Sequence, residues 1–352
     1  MASNYLPRHE TAPPMAIAIN RAAARNLRSR FDEALDLVRN EFHGLDRDQQ
    51  YHNAFARLLK PDPLDRVLMM GTDQRDLFVP ELRAAISRSL PRAGHILDIG
   101  AGNGQTFELI ADTVPNETTV SFIEPNAHYV DDYRAMLRRL PNLKSGCSVA
   151  TGFEGIDGVV PRSGIDLPSD QSIDLVMALQ MIFFLEDLPT SFTRMARFLR
   201  PGGELFVVFA DETDGYTGVA LRAYIAEGGH VGNDEQHLAA IAERRRLFSG
   251  AALGGNSAIL SILRERLPDC DFSLTTMRQP TRLYGHSISD LIAMANIAIL
   301  SSVTDLSKFD AASRVLQTDP ESVDLRIEQD GPRQGMWSVL QPQLVAVVRR
   351  LR

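Results

Sequence analysis

The chain reads as an α/β protein built on a parallel, doubly wound sheet, and three features of the sequence predict it. Short apolar runs such as His95–Gly100 (HILDIG), Ile173–Ala178 (IDLVMA) and Glu204–Ala210 (ELFVVFA) recur through residues 95–210 with amphipathic stretches between them. That alternation places helices against the faces of parallel strands. Glycines at 100, 102 and 104 follow the first run at once, and Pro201-Gly202-Gly203 stops a helical stretch just ahead of the last one. The 352 residues, 44% of them hydrophobic, suffice for one large domain with insertions or two modest ones.

In chain order, residues 1–14 are polar with three prolines and form a loose arm. Leu27, Phe31, Leu35, Val38 and Phe42 fall at helical spacing, so a helix is expected over Ala16–Phe42, with Gly44 as its stop. Residues 48–62 and 74–90 give two more helices, the first closed by Pro61-Asp62-Pro63. The strands His95–Gly100, Thr118–Ile123, Gly146–Ala150, Ile173–Ala178 and Glu204–Ala210 then alternate with helices Gln105–Thr113, Ala127–Leu140 and Leu188–Leu199. Residues 214–330 read as a mainly helical insertion, with one strand-like stretch at Phe272–Met277. Trp337–Arg349 (WSVLQPQLVAVVR) reads as a final edge strand, where Pro342 is tolerated because an edge needs fewer ladder donors. The divisions expected are an N-terminal arm and helix at 1–50, a core at 51–213, the insertion at 214–330 and the last strand at 331–352.

The 37 basic and 45 acidic side chains leave a formal net charge of −8. Nucleic-acid binding draws on clustered basic charge, so no nucleic-acid partner is expected. Two cysteines, Cys147 and Cys270, cannot build a disulfide framework or a CxxC zinc site, and no His/Asp/Glu cluster has metal-ligand spacing. No segment approaches the ~18–20 apolar residues of a membrane span, so a cytoplasmic protein without a membrane partner is expected. His52, His230, His237 and His286 stand in no catalytic constellation.

The most informative stretch is Ile96-Leu97-Asp98-Ile99-Gly100-Ala101-Gly102-Asn103-Gly104-Gln105. Its glycines let the backbone turn sharply and lie against a ligand. A dinucleotide fingerprint would require a third glycine at 105, which is Gln105. Asp98 also argues against a pyrophosphate, because a carboxylate before the loop repels phosphate and attracts a cationic amine. Twenty residues after Gly104, Glu124 closes the second strand, where a carboxylate can accept both hydroxyls of a ribose.

These residues resemble the class I S-adenosylmethionine-dependent methyltransferases, over roughly residues 90–210 plus the final strand. The resemblance implies a Rossmann-like, seven-stranded sheet with its seventh strand antiparallel at the edge, here with a helical N-terminal extension and a helical insertion. It implies S-adenosyl-L-methionine as cofactor, with Asp98, Gly100 and Gly102 along its methionine part and Glu124 on the ribose. Tyr129, or His128, would flank the adenine, Phe153 and Glu154 would meet the adenine amine, and Leu179 would stand at the carboxyl end of the fourth strand. Two stretches, FIEPNA at 122–127 and IDLVMALQMIFF at 173–184, are more similar to the histamine N-methyltransferase branch. That branch would make Gln180 the substrate-positioning residue, with Phe183, Asp65 and Gln341 as further substrate contacts. The expected reaction is methyl transfer to a nitrogen of a small molecule. Transfer to a hydroxyl or carboxyl oxygen of a natural product or peptide, and a non-catalytic cofactor- or partner-binding role, stand as alternatives. A homodimer is a further expectation.

Overall fold

The computed structural model describes residues 21–59, 69–156, 164, 166–248, 257–297, 300 and 302–352. Three helices come first: α1 (Arg21–Phe42), α2 (Arg47–Leu58) and α3 (Gln74–Ser89). The expected arm at 1–14 and the Pro61–Pro63 turn lie outside the described residues. Asp46 caps α2 by accepting from the Gln49 amide while the Gln49 side chain accepts from the Asp46 amide, which satisfies two amides that the helix itself leaves open.

The core sheet has β1 (His95–Ile99), β2 (Thr119–Ile123), β3 (Lys144–Val149), β4 (Ile173–Leu179), β5 (Leu199–Ala210), β6 (Phe272–Gln279) and β10 (Gln343–Arg350). Their order is β3-β2-β1-β4-β5-β10-β6. Six strands run one way, and β10 runs antiparallel to both of its neighbours. A seven-stranded, doubly wound sheet is therefore present, but the final strand is not its edge. β10 lies between β5 and β6, and β6 takes the edge inside what the sequence reads as a helical insertion. The run 337–349 is also not one strand. β9 (Trp337–Leu340) joins β7 (Arg282–Gly285) and β8 (Arg326–Ile327) in a separate three-stranded sheet. Pro342 sits between β9 and β10 and has no N–H to continue either ladder; its carbonyl accepts from the Asp211 amide at 2.7 Å.

Side chains alternate across the core strands, as the pleat requires. Leu97, Ile99, Val176, Ala178, Leu205 and Val207 bury one face under α6 (Leu188–Phe198) and α9 (Ala258–Arg266). Ile96, Leu175, Met177, Phe206 and Val208 bury the other under α3 and α5 (Ala127–Arg138). The expected helix at 105–113 is shorter, with α4 spanning only Gln105–Glu108.

A second apolar core joins α1 and α2 to α7 (Tyr216–Ala226), α10 (Ile288–Met294), α11 (Ser307–Thr318) and the small sheet. The N-terminal helices and the insertion thus pack together. No helix among the described residues is long and apolar enough to cross a membrane.

Candidate functional site

The carboxyl ends of β1, β2 and β4 converge on the glycine turn. Gly100, Gly102 and Gly104 all adopt left-handed backbone, with φ of 67°, 57° and 87°, a region costly for residues with a Cβ. Their surroundings differ. A Cβ on Gly100 would come within 2.6 Å of Met181 Cβ, and one on Gly104 within 2.8 Å of Met136 and 3.1 Å of Tyr133. A Cβ on Gly102 would meet nothing within 4 Å. The outer two glycines therefore admit neighbouring side chains, while the middle one faces open space.

Two buried acids flank that opening. Glu124 accepts from the Gly102 amide at 2.8 Å and from the Asn126 amide at 2.9 Å, so the end of β2 is fastened to the turn after β1. Each of its oxygens keeps acceptor capacity. Asp98 is 4% exposed, and its Oδ2 accepts from the Tyr133 hydroxyl at 3.0 Å. Burial pushes the Asp98 carboxyl up to about 7; the Tyr133 hydrogen bond holds it down and the Glu124 charge adds to the rise. These groups are acceptors beside a bare backbone. They suit an ammonium and ribose hydroxyls and oppose a pyrophosphate, so the residues fit S-adenosylmethionine.

Beyond the loop, Leu179 ends β4 half-buried, and Gln180 follows with a left-handed φ of 54°. Such backbone in a residue other than glycine or asparagine marks a functional or strained position. The Gln180 side chain is not free, however. Its Oε1 accepts from the Ala210 amide at 3.1 Å, and its Nε2 donates to Gln343 Oε1 at 3.3 Å. Gln343 in turn donates to Gln279 Oε1 at 2.6 Å and to the Gln74 carbonyl at 3.0 Å. Three glutamines thus tie the ends of β4, β10 and β6 to the start of α3.

A family model described as a methyltransferase domain matches residues 97–207, from β1 into β5. Among curated proteins, the trans-aconitate 2-methyltransferase of Variovorax paradoxus (strain S110) is 29% identical over 160 residues, 44% of this chain and 52% of that enzyme. The chain thus spans about half the length of that relative. Among solved structures, a candidate methyltransferase of Bacillus halodurans C-125 superposes with a TM-score of 0.46 at 12% identity, covering 78% of this chain and 98% of that one. The plantazolicin methyltransferase BamL, solved with S-adenosylhomocysteine and a triazolic substrate analogue, gives a TM-score of 0.41 at 10% identity, covering 94% and 100%.

The fold places the other expected contacts as follows. Tyr129 is half-buried on α5, close enough for its charge to raise the Tyr51 hydroxyl of α2 alongside the dominant effect of burial. The Phe153 ring is buried in the core with the Arg194 guanidinium 5.5 Å from its centre. Glu154 is exposed, and its carboxylate accepts from the Glu186 and Asp187 amides and the Ser191 hydroxyl at 2.9–3.1 Å, fastening the turn before α6. Phe183 is half-buried with Arg244 5.2 Å from its ring centre, while Phe184 is 70% exposed. Gln341 is 2% exposed; its Oε1 accepts from the Thr217 amide and hydroxyl at the start of α7, and its Nε2 has no partner. Asp65 lies outside the described residues. Among the described residues no group of three or more His, Cys, Asp or Glu is placed to hold a metal ion.

Sequence reasoning missed Tyr133, Gln343 and Gln279. Tyr133 falls on the apolar stripe of α5 with Val130, Met136 and Leu137 and so looks like core. A glutamine opening an otherwise apolar strand, as Gln343 does, is the one signal that could have marked it.

Proposed function

We propose that the chain is an S-adenosylmethionine-dependent methyltransferase acting on a small-molecule acceptor. The observation that carries this reading is Gly102, left-handed and open, set between the buried carboxylates Asp98 and Glu124. In this reading Asp98 holds the ammonium, Glu124 the ribose hydroxyls and the Gly102 backbone the intervening chain, with Tyr129 beside the adenine.

The cofactor's sulfonium supplies a methyl group already activated for displacement. What the chain contributes is alignment of the acceptor at near-contact distance and exclusion of water. Residues 1–50 and 214–330 supply the walls that choose the acceptor, and the shared second core that joins α1 and α2 to α7, α10 and α11 supports that role.

We place the acceptor atom on a carboxylate oxygen ahead of an amine nitrogen. The nitrogen reading leaned on Gln180, whose amide is engaged in the glutamine network. The curated relative is by its name a methyltransferase of trans-aconitate, an organic acid. A carboxylate is ionised at neutral pH and needs no general base.

Incubation with methyl-labelled S-adenosylmethionine and either trans-aconitate or histamine tests this. Base-labile label on the acid is the expected result. Label on histamine alone would move the acceptor to nitrogen. Label on neither compound, nor in any cell-extract fraction, with S-adenosylhomocysteine still bound, would leave a non-catalytic cofactor-binding protein.

A further inference from the structure

Among the described residues nearly every partly buried arginine has a partner; Arg75 and Arg134 do not, and Arg75 is the one at the ligand end of the sheet. Arg57 bonds Glu41, Asp290 and the Asn53 carbonyl; Arg244 bonds Glu212; Arg282 bonds Asp324 and Ser338; Arg333 bonds Asp76 and the Met69 and Thr72 carbonyls; Arg350 bonds the Leu199 carbonyl. Arg75 is also partly buried, yet among the described residues no acceptor meets its guanidinium. Burial presses its proton affinity down, and the neighbouring Asp76 charge only partly offsets that. Its guanidinium is half-buried and unpaired, and a partly desolvated cation gains from an anion brought within reach.

Its position follows from α3. Residues 75, 78, 82 and 86 share one helical face, and Phe78, Leu82 and Ile86 on it are buried against the sheet. Since α3 ends at Ser89, just ahead of the amino end of β1, the helix runs against the parallel strands and its first turn lies at their carboxyl ends. Gln343 Nε2, held on the Gln74 carbonyl at 3.0 Å, confirms this, because Gln343 pairs with Ala210 at the end of β5. The first-turn amides of α3, positive at that end of the helix, point the same way. The nearby acids are already engaged. Asp73 accepts from the Arg282 amide and the Tyr284 hydroxyl, and Asp76 pairs with Arg333. Unmet polar atoms continue along the same end of the sheet at Gln341 Nε2, two residues before Gln343, and at Tyr216 Oη.

We infer that Arg75 binds a carboxylate of the methyl acceptor, one that does not itself receive the methyl group. This rests on the methyltransferase reading and names its substrate class: an acid carrying a second nucleophilic group. A guanidinium on the reacting oxygen would draw off its electrons, so the group held and the group methylated are different ones.

The test titrates the full chain calorimetrically with succinate, glutarate, tricarballylate and phthalate, with and without S-adenosylhomocysteine, using tricarballylate trimethyl ester as the uncharged control. The expected result is that at least one acid binds, the ester does not, and Arg75→Gln weakens that acid at least tenfold while S-adenosylhomocysteine affinity stays within twofold. Arg75→Lys, which keeps the charge and loses the fork, falls between the two, and it stands in if Arg75→Gln lacks a native melting transition. Wild-type protein that binds none of the four acids, or a variant that binds them as wild type does, overturns the inference. Failure of S-adenosylhomocysteine to bind wild type sinks the methyltransferase reading separately.

Discussion

Gly100 and Gly102 share a left-handed backbone but predict opposite outcomes when a methyl group is added. Gly100→Ala drives its Cβ into Met181 and should lower the melting temperature sharply. Gly102→Ala has room, so it should cost only the roughly 1–2 kcal/mol of a left-handed alanine and fold, yet fill the space proposed for the cofactor and abolish S-adenosylhomocysteine binding. Thermal melts paired with calorimetry separate the two.

At Asp98 the sign of the pH effect follows from a carboxyl raised from 3.8 to about 7. Its contribution to folding is fully present below the unfolded value and is lost as pH rises through about 7. Its attraction for a cationic ligand runs the other way. Cofactor affinity should increase from pH 6 to pH 8, and Asp98→Asn should flatten that slope, weaken binding and raise the apo melting temperature at pH 8. A binding slope unchanged in the variant would remove Asp98 from the role.

Gln343 acts at the level of elements. It is fully buried and joins β4, β10, β6 and α3 through Gln180, Gln279 and the Gln74 carbonyl. Gln343→Leu leaves a buried carbonyl and an amide oxygen without a donor, for an expected loss of about 1–3 kcal/mol, measurable by urea unfolding. Of the five strands from His95 to Ala210, β1, β2, β4 and β5 were legible because each carries a mainly apolar run bounded by turns, while β3 (KSGCSV) is exposed at its first two residues and reads more weakly. β10 was legible as a strand but not in its place, since sequence order says nothing about which neighbours a strand meets. The small sheet was not legible, because strands of two to four residues carry too little period to read.

For the whole molecule, Lys308 links the N-terminal helices to the insertion. It is fully buried, donates to Gln50 Oε1 at 2.6 Å and to the Val303 carbonyl, and lies 5.1 Å from the Phe309 ring centre. Burial lowers its ammonium to about 7, with Asp305 opposing. Between that value and the unfolded 10.5 the unfolded chain holds one proton more, so stability rises with pH across this window. Wild type should therefore gain melting temperature on Lys308→Met as pH goes from 7 to 9; parallel curves would contradict the assignment.

The candidate site was legible where it is contiguous in sequence, at Asp98, the glycines and Glu124. It was illegible where distant segments meet, as with Tyr133 on Asp98, Gln343 on Gln180, the engagement of Glu154 by the turn at 186–187, and Arg75 at the start of α3. The most direct test of the central claim is calorimetric titration of the wild-type chain with S-adenosylhomocysteine, with NAD in parallel and Gly102→Ala as the control. The account predicts one-site binding of S-adenosylhomocysteine that the variant loses, and no binding of NAD. Binding of NAD with indifference to S-adenosylhomocysteine, or equal binding by the variant, would contradict it.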